Sequence, residues 1–159
     1  MKLKTNYIII PLIVIDVALL GGYFSGHGMV WYNDLFLPLL TPPKWVFPLA
    51  WNTIFLLATI SALIFWNKKK HKPYFNWIIA FFIFNAILNV LWSFLFFGQH
   101  NILAALIEIF FLWGSVLTLV VSVWHSSKLA SVLLWPYLIW VGFATYLNYL
   151  LWVLNGARR

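Results

Sequence analysis

The sequence predicts an all-α integral membrane protein: a bundle of five transmembrane helices with a long loop between helices 1 and 2 acting as a lid. Three observations carry this. The 159-residue chain is 64% hydrophobic and 8% charged, with a mean hydropathy of +0.93, whereas soluble domains carry about 25% charged residues. Its apolar residues fall into five runs, each near the ~20 residues that a helix needs to cross the hydrocarbon core. The runs are continuous, while a transmembrane barrel would need alternating segments of about ten residues. No internal repeat is visible, so residues 1–159 form one domain.

The first run, residues 7–25, follows Lys2 and Lys4 and has the outline of a signal peptide. Asp16 interrupts it and no A-x-A site follows, so it is read as a retained helix. The second run, 43–66, opens on "TPPKWVFPLAW". Thr41 is placed to cap the helix, with Pro42 and Pro43 in the first turn, where no intrahelical N–H is needed. Pro48 cannot donate to the carbonyl of Lys44, which predicts a kink. Trp45, Pro48 and Trp51 recur at i, i+3 and i+6, setting Trp51 deeper than an interfacial belt requires. The remaining runs cover 74–97, 102–124 and 132–155. Their connections are short, but the loop between helices 1 and 2 takes roughly seventeen residues, a length typical of functional loops. Its "VWYNDLFLPLL" is too apolar for disorder and is expected to fold back over the mouth of the bundle.

Positive residues orient the bundle. Lys2, Lys4, Lys68, Lys69, Lys70, Lys72 and Lys128 share one side, against Lys44, Arg158 and Arg159 on the other. The positive-inside rule then places the N-terminus in the cytoplasm and the C-terminus outside, in a prokaryotic plasma (inner) membrane. Trp66, Trp77, Trp124 and Trp135 flank the basic side as interfacial anchors.

Several chemistries are excluded. The chain has no cysteine, hence no disulfide, thiolate metal site or Cys nucleophile. No Ser/His/acid grouping, HExxH or phosphate loop is present. The net charge of +7 sits in short loops and carries no nucleic-acid motif. His27 and His100 are read as solvated loop residues, not as haem ligands. Neither a metal site nor a cofactor is expected.

The polar groups inside the bilayer point to a pocket. Counting depth at about 1.5 Å per residue, Trp51, Asn89, Trp92, Glu108, Ala144 and Asn148 reach a similar level beneath the long loop, with Trp140 slightly beyond the midplane. A few polar groups in an apolar interhelical space is the composition of a ligand site. Interhelical hydrogen bonding is the competing reading for Asn89, and the favoured one for Asn85. Asp16 and Glu108, the acids within the membrane, are expected to be neutral or bonded to hydroxyls and amides. For Asp16, helix contact and function stand equal. Gly114, Thr118 and Ser122 form a small-residue ridge suited to a helix contact or a dimer face.

The motifs "WYNDLFLPLLTPPKWVFPLAW", "LNVLWSFLFFG", "ALIEI" and "PYLIWVGFATYLNYLLWVLN" follow one another from Trp31 to Asn155. In this order they resemble the TspO/translocator-protein family, tryptophan-rich sensory proteins related to the peripheral benzodiazepine receptor. The resemblance implies a five-helix bundle, usually a homodimer, that binds tetrapyrroles such as protoporphyrin IX or other planar hydrophobic molecules. It also implies that Trp51, Asn89, Trp140, Ala144 and Leu147 line the pocket. Trp31, Tyr32, Pro42 and Pro43 would build its lid, and Glu108 matches a commonly acidic position. Trp51 and Trp140 match tryptophans implicated in light- and oxygen-dependent porphyrin breakdown, the catalytic alternative. A regulatory or structural subunit acting through a protein partner is the other alternative.

The chain departs from the family pattern in two places. Leu37 and Leu40 stand where members often carry a Lys and a Trp, which removes a cation from the expected lid. Leu150 and Val153 stand at the positions of the animal sterol motif, and Tyr149 is too far from Arg158 to replace it, so cholesterol binding is not expected.

Overall fold

A computed structural model describes residues 4–69 and 74–156. Lys2, Lys70, Lys72, Arg158 and Arg159, used above for orientation, lie outside the described residues. The architecture is all-helical: α1 (Asn6–Asn33), α2 (Val46–Lys69), α3 (Phe75–Ser93, continued by a wider turn, Phe94–Gly98), α4 (Ile102–Trp124), α5 (Lys128–Val132) and α6 (Trp135–Asn155). Five spans are long and apolar enough to cross a membrane, the fifth being α5 and α6 together.

α4 is the centre of the bundle. Leu106, Ile109, Leu112, Val116, Leu119, Val120 and Val123 recur at three- and four-residue spacing and are buried. With Ile54 and Phe65 of α2, Leu88 of α3, and Tyr137 and Val141 of α6 they form the main core. The opposite face of α4 shows Ile107, Phe110, Phe111 and Val121 outward, apolar because its solvent is lipid. α1 contributes nothing to this core. Asp16 is exposed on the side of α1 away from the bundle and makes no hydrogen bond among the described residues.

Three boundaries differ from the sequence reading. α1 runs eight residues past Ser25, through "GHGMVWYN", so Trp31 and Tyr32 are helical and not loop residues. At about 1.5 Å per residue its 28 residues span ~42 Å, more than the ~30 Å hydrocarbon core, so its last turns reach the headgroup level. Gly28 permits this. A Cβ there would stand 2.5 Å from the carbonyl oxygen of Phe97, so α1 and the end of α3 touch backbone to backbone. His27 is likewise helical; its Nδ1 lies 2.8 Å from the carbonyl of Tyr23.

α2 begins at Val46, so Thr41 does not cap it and Pro42 and Pro43 precede it. Pro48 then falls in the first turn, where an N–H has no intrahelical partner, and the expected kink loses its cause. The fifth span is broken at Leu133 and Leu134. Pro136 in the first turn of α6 cannot donate backward, and Ser127 instead caps a separate α5 through the Ala130 N–H (3.4 Å). Ser61 Oγ donates to the Ala130 carbonyl (2.7 Å) and Ser131 Oγ to that of Val120 (2.6 Å), fixing α5 between α2 and α4.

Candidate ligand cavity beneath the first loop

Residues 34–45 cross the mouth of the bundle and are fastened at two points. Asn155 at the end of α6 pairs with the backbone of Phe36: its Oδ1 accepts from the Phe36 N–H (3.0 Å) and its Nδ2 donates to the Phe36 carbonyl (3.1 Å). Lys44 Nζ donates to Asn33 Oδ1 (2.7 Å), joining the two ends of the loop. Pro38 is buried and Thr41 N–H returns to its carbonyl (3.0 Å), a turn that aims the loop inward.

Beneath this lid lies a cavity of about 650 Å³ walled by α1, α2, α3 and α6, within the range that holds drug-sized ligands. Two aromatic pairs supply flat surfaces. Trp51 stacks on Phe55 (5.6 Å between centroids, 30°), and Trp92 on Phe96 (5.1 Å, 15°). α1 makes room opposite them by presenting Ala18, Gly21, Gly22, Ser25 and Gly26.

Buried amides hold the walls in place. Asn148 is 1% exposed; its Oδ1 accepts from Trp92 Nε1 (3.1 Å) and its Nδ2 donates to the Ile102 carbonyl (3.0 Å). Asn89 Nδ2 donates to the Tyr137 hydroxyl (3.0 Å), which donates to Asn85 Oδ1 (3.1 Å), while Asn85 Nδ2 donates to Ser115 Oγ (2.8 Å). Asn85 therefore packs, as expected. Asn89 does both things proposed for it, bonding Tyr137 and facing the cavity. These bonds fix the rotamers of Trp92 and Asn89 on the cavity wall.

Of the residues expected at the site, Tyr32, Pro42, Pro43, Trp51, Asn89, Trp92, Ala144, Leu147 and Asn148 line the cavity. Trp31, Glu108 and Trp140 do not. Trp31 packs edge-on against Phe96 (5.5 Å, 71°) and stacks on His100 (4.5 Å, 15°), a residue held at φ 53°. Glu108 is buried on α4, which contributes no wall, and neither of its carboxylate oxygens has a partner among the described residues. Trp140 stands behind Phe47 in an edge contact (5.9 Å, 75°), its Nε1 also unpartnered.

The sequence reading missed Phe47, Phe55, Phe96 and Lys44, all on the cavity wall. The aromatics could not be told from lipid-facing ones by pattern. Lys44 was the findable one: it is the lone cation beside the double proline.

Comparison with known proteins is consistent along the chain. The sequence profile of the TspO/MBR family matches residues 9–153. The chain is 38% identical to the tryptophan-rich protein TspO of Archaeoglobus fulgidus, covering 91% of this chain and 94% of that one. It is 34% identical to protein CrtK of Rhodobacter capsulatus (87% and 86% covered) and 30% to the translocator protein of Homo sapiens (86% and 84%).

Proposed function

The chain belongs to the TspO/MBR family of membrane proteins, and from that premise we propose that it is a membrane receptor or carrier for planar hydrophobic ligands, tetrapyrroles first. One observation carries the reading: a 650 Å³ cavity faced by two stacked aromatic pairs under a fastened lid. A flat macrocycle gains offset stacking on such faces, each aromatic pair adding about 0.5–1.5 kcal/mol beyond area burial. Lys44 lies on the rim, where its ammonium reaches a carboxylate left at the lid while the ring sits below. Asn52, without a hydrogen bond among the described residues, supplies a further polar contact. The protein works in this reading as a homodimer in a prokaryotic plasma membrane, its N-terminus cytoplasmic. Gly114 and Thr118 offer a shallow outward strip on α4 for the second copy, since nothing lies within 4 Å of a Cβ at Gly114.

The test is quenching of Trp fluorescence by protoporphyrin IX in detergent micelles, beside Trp51→Phe, Lys44→Met and empty micelles. Saturable quenching, weakened in both variants, is expected. Non-saturable quenching, or equal affinity in all three proteins, overturns the assignment.

A further inference from the structure

A second cavity, about 320 Å³, lies along the other half of α1, between it, α2 and α3. It runs from Thr5, Asn6 and Trp66, on the lysine-rich side, to Phe55, Asn89 and Tyr137, with Ile9, Ile13 and Ile83 of its wall exposed along the way. Phe55 and Asn89 also line the upper cavity, so these two side chains are the partition between the chambers.

The lower chamber has one polar end. Asn6 is 7% exposed, faces the chamber, and its Nδ2 has no acceptor among the described residues. Leaving such a donor unmet inside a protein is costly. Outside the lining, at the same end of the bundle, Lys4 Nζ lies 3.4 Å from Asn67 Oδ1, and Asn67 Nδ2 donates to the Tyr7 hydroxyl (3.2 Å). At the deep end the polar groups are already engaged: Tyr137 bridges Asn89 and Asn85. From Asn6 to Val17 the wall extends about 16 Å along the helix, half of the ~30 Å hydrocarbon core. A volume of 320 Å³ spread over that length is a slot one chain wide, and Ala58, Ala62 and Ala86 keep it open.

We propose that this chamber binds a long-chain monoacyl carboxylate, a free fatty acid. Its carboxylate accepts from Asn6 Nδ2 at the end of the bundle that carries the Lys4 ammonium, and its tail runs inward along α1 to Phe55. A carboxylate meets both groups at once, whereas an ester offers acceptors but no charge.

The test uses the full chain in phosphatidylcholine nanodiscs with a palmitate analogue carrying a mid-chain diazirine, photolysed and mapped by mass spectrometry. Adducts are expected on the inner face of residues 9–17 of α1 and on 79–86 of α3, suppressed by palmitate and at least about tenfold less by methyl palmitate. Asn6→Leu should weaken labelling about tenfold, and Ala58→Trp should abolish it by filling the slot. Thermal unfolding of each variant reports whether it is folded, and Asn6→Leu, at the rim, tests the site should Ala58→Trp not fold. Labelling equal to that on the outward Phe110 and Phe111 of α4 overturns the proposal. So does equal competition by methyl palmitate, which would mean that the slot takes any bilayer chain. The result stands apart from porphyrin binding above, because the two readouts report different chambers.

Discussion

Gly28→Ala tests the contact that carries α1 beyond the membrane surface. A Cβ at this position would meet the Phe97 carbonyl oxygen at 2.5 Å, the Phe97 Cβ at 2.7 Å and its Cα at 2.8 Å. Ordinary contact begins at 3.4 Å, so α1 and the end of α3 must part by about 0.9 Å. None of the three atoms belongs to a flexible side-chain tip, so no rotamer change absorbs the clash. Overpacking of this kind costs about 1–3 kcal/mol. For a chain of this size each kcal/mol lowers Tm by roughly 2–4 °C, so Gly28→Ala should melt about 2–12 °C below Gly22→Ala. Gly22→Ala is the control, because nothing lies within 4 Å of a Cβ there. Both variants gain the same helix propensity, about 1 kcal/mol in an exposed helix, so their difference isolates the steric term. The assay is thermal unfolding in detergent, followed by near-UV circular dichroism. Equal Tm for the two variants would refute the close approach of α1 to Phe97.

Other expectations follow from single contacts. Tyr137→Phe strips the acceptor from Asn89 and the donor from Asn85; at about 0.6 kcal/mol per interhelical bond on average, chemical unfolding should show a loss of about 1 kcal/mol. Asn148→Leu releases Trp92 Nε1 and the Ile102 carbonyl, so porphyrin affinity should fall and the emission of Trp92 should shift, read against a Trp92→Phe background. Asn155→Ala removes the pair that fastens Phe36, so amide exchange across residues 34–45 should accelerate while that of α4 stays unchanged. Glu108→Gln keeps the shape and removes the ionisable group from a buried position without hydrogen-bond partners among the described residues; an unchanged or higher Tm is expected.

The five spans were legible because hydrocarbon thickness dictates run length, and α4 matches its predicted bounds at both ends. What faces inward was harder to read. In water one face of a helix is polar, but on α4 the buried Leu112 and Val116 and the outward Phe111 and Leu117 are equally apolar, so periodicity is silent. The polar residues spoke instead: Asn89 and Asn148 located the cavity because amides in lipid must find partners. The same rule misplaced Glu108, since burial on α4 satisfies the need to avoid lipid without reaching the cavity. The first run was placed at residues 7–25, short of "GHG"; Gly28 lies within α1 and marks a close helix contact, visible only once Phe97 is in place.

α1 walls both chambers from Asn6 to Tyr32, yet the main core is assembled from the other helices. Cavity shape and the main core thereby fall largely to different parts of the chain, with the last turns of α1 around Gly28 as the exception. Side chains on the inner stripe of α1, such as Ile13 or Gly21, can change in bulk and resculpt either chamber without opening a void around Leu112 or Val116. The shape of both chambers can change while the scaffold stays constant, and one helix serves as their adjustable mould.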